Sequence, residues 1–288
     1  MKHPERITRL TGFLLALMLA LGAHAQQQPN APLPDIRKLM LEVQDHQRQL
    51  DKVRETYTYS TLEKIEGIDS NGKVTKTETV EQEDFFVNGH LIDRTVKKNG
   101  QPLSEHDRQK DADRVTKQVE KAEKTPPGQP LEGQTTTSIS RLLEIMDVRN
   151  PRRDTYRGRR TIVFDFVGRK DAKTHGLVED ASKKLQGTVW IDDADRQVAH
   201  LEVSFTDNFH VAGGLLANVQ KGSNFRFDQA PVSDGLWLPT GGEGTMQVRV
   251  LMVKNLRERF SEHDYDYKRF SVETQQAKDA KLVPEKKP

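Results

Sequence analysis

The sequence predicts an α+β fold in which blocks of antiparallel strands carry a few helices. Two observations lead there. Hairpin signals recur along a strand-rich chain, and helical periodicity is confined to short stretches between the strand blocks. Composition agrees: 34% of residues are hydrophobic and 31% charged. That balance is polar for a globular domain and suits an extended sheet with one well-solvated face.

The chain opens with Lys2, Arg6 and Arg9, the apolar run Leu10 to Gly22, and then Ala23-His24-Ala25. A basic n-region, a short apolar core and a small-x-small site make a cleavable secretory signal peptide. A spanning helix needs about 20 apolar residues, and this run is shorter. The expected cut is after Ala25, leaving a periplasmic or secreted protein. No cysteine follows for lipid attachment, and the chain contains 0 Cys, so disulfides contribute nothing. No later segment reaches membrane-spanning length, so no transmembrane anchor is expected after cleavage. Without residues 1–25 the chain has 42 basic and 42 acidic side chains. Nucleic acid would call for a strong basic excess, so no nucleic-acid partner is expected.

Residues 26–34, "QQQPNAPLP", form a flexible leader. Asp35 is then a good helix N-cap. Ile36, Leu39, Met40, Val43, Leu50 and Val53 follow at mostly helical spacing, which predicts an amphipathic helix. "ETYTYSTLEKIEG" and "KVTKTETVEQEDFFV" are strand-like runs around Asn71-Gly72. Asn88-Gly89 and Asn99-Gly100 mark two more tight turns around "HLIDRTVKK", so this block reads as a meander. Residues 104–124 form a very polar helix, expected to be a solvated insertion that extends with its linker to about residue 134. "TTSISRLLEIMDV" reads as a second amphipathic helix with Ile139, Leu142, Leu143 and Met146 on one face. The remainder reads mostly as strands: "RRTIVFDFVG", "GTVWID", "QVAHLEVSF", "NFRFDQAPV", "GLWLPTG", "TMQVRVLMVKN" and "YDYKRFSVE". Residues 35–274 are expected to make one domain, followed by a disordered tail over 275–288.

Few places look like chemistry. Asp192, Asp193 and Asp195 lie close together in "GTVWIDDADRQVAHLEV". A calcium loop of the EF-hand type needs glycine at its sixth position and glutamate at its twelfth. Counting from Asp192 gives Gln197 and Val203, and counting from Asp193 gives Val198 and Ser204. The cluster is better read as the polar turn of a hairpin. There is no HExxH and no cysteine for zinc, no GxSxG elbow, and the "QKGS" stretch has its lysine on the wrong side of the glycine for a phosphate loop. Gly213-Gly214 reads as a tight bend. In Glu262-His263-Asp264 a strand would point the histidine away from its acidic neighbours. No enzyme, cofactor or metal is expected. An exported hydrolase remains a third reading, and a pocket with two close, buried carboxylates would support it.

One charge feature stands out. Arg149, Arg152, Arg153, Arg157, Arg159 and Arg160 crowd the approach to "TIVFDF", interrupted only by Asp154. They read either as a solvated loop after the second helix or as a contact for anionic headgroups or an acidic partner.

The order of elements resembles the LolA/LolB-like superfamily of periplasmic proteins, which includes lipoprotein carriers and the N-terminal domain of the regulator RseB. The residues that carry the resemblance are the amphipathic helix from Ile36 to Val53, the strand opening "YTYS", the hairpin "GTVWIDDADRQVAHLEV", "DGLWLP" at Asp234 to Pro239, and "YDYKRF". It covers residues 35 to 273 and is best over 160 to 270. The resemblance implies a curved, unclosed antiparallel barrel, a half-barrel, wrapped around a few helices, with an apolar pocket for acyl chains between them. It implies a non-catalytic carrier of lipid or of an acylated lipoprotein, or else an RseB-like sensor that binds an envelope membrane protein. No individual ligand-binding residue matches. Positional candidates for pocket lining are Trp190, Ile191, Phe205, Leu236, Trp237, Leu251 and Met252, with ordinary core packing as the competing reading for each. The polar helix makes this chain longer than a minimal carrier, and the missing lipobox excludes a lipid-anchored acceptor.

Overall fold

The computed structural model describes residues 32–127, 129, 131, 139–233, 235–251 and 253–269. The predicted signal peptide, most of the leader, and the tail lie outside them. In chain order the elements are α1 (Ile36–Arg54), β1 (Tyr57–Ile68), β2 (Val74–Val87), β3 (His90–Lys98), β4 (Gln101–Pro102), α2 (Glu105–Lys124) and α3 (Ile139–Glu144). Then follow β5 (Met146–Tyr156), β6 (Arg159–Gly168), α4 (Gly176–Ser182), β7 (Leu185–Asp192), β8 (Val198–Phe205), β9 (Phe209–Val211), β10 (Ala217–Val219), β11 (Asn224–Ser233), β12 (Leu236–Val250) and β13 (Lys254–Arg269).

All strands join one antiparallel sheet of 13 strands, in the order β4-β3-β2-β1-β13-β12-β11-β8-β7-β6-β5, with β9 and β10 as a side hairpin against β12. The two ends of that order do not meet, so the sheet is an open half-barrel with helices laid on it. The three Asn-Gly sites are hairpin turns, with Asn88 and Asn99 at positive φ, where asparagine is tolerated because its short side chain bonds locally.

Asp35 caps α1 by accepting from the Lys38 amide at 2.9 Å. The buried stripe of α1, including Leu39, Val43 and Leu50, faces the sheet. With Ile139 and Leu143 of α3 it packs on Ile162, Phe164 and Phe166 of β6, Val189 and Ile191 of β7, and Val198, Leu201, Val203 and Phe205 of β8. A second cluster joins Leu50, Ala199, Trp237 and Leu238.

Four expectations need correction. The polar helix α2 is not wholly solvated: Val115, Val119 and Ala122 pack on Phe85, Val87 and Ile92 of β2 and β3, and Ile92 is 0% exposed. The second amphipathic helix is shorter than its periodicity suggests, because Met146 already begins β5. The Asn150-Pro151 step biases the chain to extended backbone, and the pairing of β5 with β6 shifts register there, between Arg149 and Arg152. "LWLPTG" and "TMQVRV" belong to a single strand, β12, which ends at Val250, and Leu251 lies in a turn after it. Within the stretch expected to be mostly strand, Gly176–Ser182 form the helix α4. No helix among the described residues is long and apolar enough to cross a membrane.

Candidate functional site: the inner face of the half-barrel and its charged end

Cross-strand partners point to the same face of a sheet. The row Leu201, Phe227, Gly242, Glu262, Glu63, Val80 runs across β8, β11, β12, β13, β1 and β2. Phe227 packs on the core under α1 and α3, so the whole row lies on the inner face. That face has two unlike halves. From β5 to β11 it is apolar and covered by α1 and α3. From β13 through β3 it carries Tyr59, Thr61, Glu63, Asp84, Asp93, Glu262, Asp264 and Tyr267.

The second half is organised around one hydroxyl. Thr61 Oγ1 lies 2.6 Å from Asp84 Oδ2 and 3.0 Å from Asp264 Oδ1. A hydroxyl has one proton to donate, so one of the two carboxyls must be protonated to complete both contacts. Both carboxyls are buried, at 5% exposure each. Burial pushes Asp84 up to about 7, against the Thr61 hydrogen bond and with help from Asp264 and Asp93. Burial raises Asp264 too. Glu63 is raised by burial, then by the charges of Asp93, Glu258 and Glu78. Tyr59 and Tyr267 stack with ring centroids 4.9 Å apart, and burial raises both phenols. Arg114 of α2 pairs with Asp93 at 2.9 Å, and Arg54 at the end of α1 lies over the Phe86 ring at 5.8 Å. Two close, buried carboxyls are therefore present; they line neither the trough at Asp165 and Glu202 nor the hollow at Arg249 and Arg257.

The aspartate cluster and the arginine cluster meet at the end of the sheet where the β5–β6 and β7–β8 turns lie side by side. Arg159 donates to both oxygens of Asp192, at 2.5 and 3.1 Å, and to Asp195 at 2.7 Å. Arg153 donates to Asp193 at 2.9 Å, and Arg160 approaches it at 3.8 Å. Arg152 pairs with Asp165 at 2.9 Å and Arg157 with Asp228 at 3.3 Å. Trp237 lies under Arg159 at 5.3 Å and donates its indole N–H to Asp195 at 3.0 Å. Asp192, 1% exposed, also accepts the amides of Ala194 and Asp195 at 3.0 and 2.8 Å. Burial alone would raise its carboxyl; Arg159 and these amides outweigh burial and hold it below the ordinary range. The six arginines lie on the β5–β6 hairpin, not on a loop, and Arg149 is the one for which the described residues give no ion pair.

The pocket-lining candidates are dispersed. Ile191 and Phe205 are buried in the main core. Trp237 is buried and Leu236 half-buried in the second cluster. Trp190 follows the alternation of β7 to the outer face, where it sits 4.9 Å from His200 and donates to Asp154 at 3.2 Å. Adjacent strand residues face opposite ways, so Trp190 and Ile191 cannot line one pocket. Leu251 is 60% exposed in the turn after β12, at φ 47°. Met252 lies outside the described residues. On that outer face Tyr156 stacks on His200 at 4.5 Å, and both bond to Asp228 Oδ1, at 2.5 and 2.8 Å. Burial, joined by the Asp228 bond, pushes the Tyr156 phenol up to about 12. A trough of about 800 Å³ also lies on the outer face; its lining includes Arg149, Asp165, Thr188, Glu202, Arg226 and Glu243. None of the described pocket-lining candidates borders it.

The sequence reading missed Thr61, Asp84 and Asp264. Its only signal was the "SEHD" at Ser261 to Asp264, which strand alternation splits into buried Asp264 and exposed His263, stacked on Tyr265 at 5.6 Å. Among the described residues no group of His, Cys, Asp or Glu is arranged to hold a metal ion.

Fold and site together define the class: an α+β protein built on one open antiparallel half-barrel. No family model matches the chain, and no curated protein matches it. A solved structure of a DUF1329 family protein from Desulfovibrio piger ATCC 29098 is similar to it over 83% of this chain and 95% of that one, at a TM-score of 0.36 and 11% identity.

Proposed function

We propose that the protein is an exported, non-catalytic carrier of the cell envelope that holds a lipid, or the acyl chains of a lipoprotein, inside its half-barrel. One observation carries this reading: the apolar half of the inner face is a continuous bed under a light cover. The bed includes Phe164, Phe166, Phe205, Phe225 and Phe227, spread over three neighbouring parts of the sheet. The cover is α1 and the short α3. Its apolar stripe packs on the bed, and polar contacts such as Gln47 to Gln197 at 2.6 Å and Arg196 to Glu42 at 3.7 Å tie it to the β7–β8 turn. Such a cover lifts without breaking a strand ladder. An acyl chain that replaces it regains about 0.8 kcal/mol per buried CH₂. No bond is made or broken; transfer needs only sites of graded affinity. The basic, apolar, Ala-His-Ala order of residues 2–25 supports export with a cleaved leader.

Protein purified from an envelope fraction is extracted into organic solvent and the extract is analysed by mass spectrometry. Stoichiometric lipid, and displacement of a fluorescent fatty acid from the stripped protein, are the expected results. A ligand-free protein that also leaves the fluorescent fatty acid unquenched would sink the carrier.

The outer trough favours a second reading, an RseB-like sensor bound to a membrane-protein partner. Its alternating Arg149, Asp165, Glu202, Arg226 and Glu243 suit a polar polypeptide segment. A photo-crosslinker at Thr188 that captures an envelope protein, in cells where lipid extraction finds nothing, would select it.

A further inference from the structure

We propose that two neighbouring hairpin ends form an apolar, basic-rimmed tip that inserts into the surface of an anionic lipid bilayer. The β9–β10 hairpin turns through a short 3-10 turn at Ala212–Gly214, and Gly213 and Gly214 supply its positive φ. The β10 strand lies beside the end of β12, with Ala217 opposite Val250. The Leu251 amide donates to the Leu216 carbonyl at 3.0 Å, which fixes the two ends against each other. Leu215 is 66% exposed, Leu216 55%, Leu251 60% and Val253 83%. Scattered exposed leucines are ordinary, but four large apolar side chains grouped on adjoining turns are not.

Charge around the tip is one-sided. Residues 208–227 and 244–257 contain no Asp or Glu, in a chain with 43 acidic residues among 288. The same segments carry Lys221, Arg226, Arg249, Lys254 and Arg257. Arg226 is engaged by Glu243 at 2.9 Å, which leaves the other four. Arg249 and Arg257 border a hollow of about 450 Å³ beside the tip. Asp69 of the β1–β2 turn also borders it; its Oδ1 accepts the amides of Asn71 and Lys73, each at 2.9 Å.

This geometry selects a bilayer. Hairpin ends offer a narrow apolar point, not a flat patch, and a point fits a fluid surface. Insertion of a few apolar side chains and a basic rim on anionic headgroups are the two signals that together give stable interfacial binding. The tip is far from the Arg159 network, since β12 runs from Trp237 beside that network to Val250 beside the tip. Phe209 and Val219 at the base of this hairpin touch the main core, but the exposed Leu215, Leu216, Leu251 and Val253 of the tip do not belong to it, so tip and carrier fail independently.

The absence of native cysteine permits a clean test. Val253→Cys in the full chain is labelled with a polarity-sensitive fluorophore, and Thr155→Cys at the other end of the sheet serves as the control. Vesicles of phosphatidylglycerol with phosphatidylethanolamine are compared with vesicles of phosphatidylcholine. The label at 253 is expected to shift to the blue with anionic vesicles at low salt, and the label at 155 to stay unchanged. Leu216→Asp combined with Leu251→Asp, checked for an unchanged melting temperature, is expected to weaken flotation with anionic vesicles at least tenfold. Lys254→Gln with Arg257→Gln is expected to remove the preference for anionic over neutral lipid. Equal shifts at both labels, flotation unaffected by the Leu→Asp pair, or a concentration-dependent dimer abolished by that pair without any vesicle binding would each overturn the proposal.

Discussion

Asp192 and Asp84 are the same side chain, both nearly excluded from water on one sheet, yet they are kept in place in opposite ways. Asp192 is neutralised by a guanidinium and two backbone amides, and its carboxyl is held down. Asp84 has no cation within bonding distance among the described residues; it shares a threonine hydroxyl with Asp264 and is held up to about 7. A buried carboxylate needs either a countercharge or a proton. The charged end of the half-barrel uses the first solution and the acidic half of the inner face uses the second. Substitution and pH should therefore act on the two places with opposite sign.

The largest effect should come from Asp192→Ala. It leaves Arg159 with Asp195 alone, at 2.7 Å, and two turn amides without their acceptor. Breaking a buried pair costs about 3–5 kcal/mol. Here the arginine is 41% exposed and can turn to solvent, so about 2–3 kcal/mol is expected in a urea melt at pH 7. If Asp192→Ala melts like the wild type, the network is surface decoration and the contrast with Asp84 collapses.

Next in size is the pH dependence. Asp84 has its folded pKa raised from 3.8 to about 7, so the folded state binds the proton more tightly. The stability this gives is complete below pH 4 and is lost as pH rises to 7. For Asp192 the shift is downward, so its contribution is present above pH 4 and is lost as pH falls below that. Stability should peak in mildly acidic solution and decline toward pH 8. Asp84→Asn keeps a neutral donor and acceptor in place of the protonated acid. It should make the alkaline limb shallower, leaving the part due to Glu262, which burial pushes up to about 8, and stabilise the protein at pH 8 by about 1–2 kcal/mol. The same substitution at Asp192 should destabilise at every pH above 5. Two melts that decline in parallel from pH 5 to 8 would remove Asp84 as the titrating group.

A smaller effect is expected at the shared hydroxyl. Thr61→Val keeps the shape but removes the atom that joins Asp84 to Asp264. At pH 5 the loss should be about 1 kcal/mol, the net worth of a typical hydrogen bond. A loss several times larger would mean that Thr61 sets strand packing and does not merely hold the proton.

Local parts of this picture were legible in the sequence and the joins between them were not. The Asn-Gly turns, the stripe of α1 and the strand runs follow from residue type and period, which act over a few positions. The Thr61–Asp264 contact spans 203 positions. Alternation says that Thr61 and Glu63 share a face, but not which face or which partner. Likewise, Arg159 and Asp192 each looked like a separate feature until β6 and β7 were paired, with Thr161 opposite Asp192. Met146 has helical spacing from Leu142 and Leu143, and only the pairing of β5 with β6 assigns it to a strand. The exposed Leu251 was misread for the same reason: strand propensity ran on through the turn.

The smallest effect should fall inside the charged end itself, and it tests whether burial or charge governs the contrast. Arg160 shares Asp193 with Arg153, but its contact is 3.8 Å and its side chain is 64% exposed. Arg153 meets the same carboxylate at 2.9 Å with 27% of its side chain exposed. An exposed, loosely placed pair gains little from Coulomb attraction, because water screens it and two long side chains lose freedom. Arg160→Gln should therefore change stability by less than about 0.5 kcal/mol, with 0.5 M salt erasing even that. Arg153→Gln should cost more and respond less to salt. Equal and salt-sensitive losses for both would mean that net charge at this end, not the depth of the carboxylates, holds the two hairpins together.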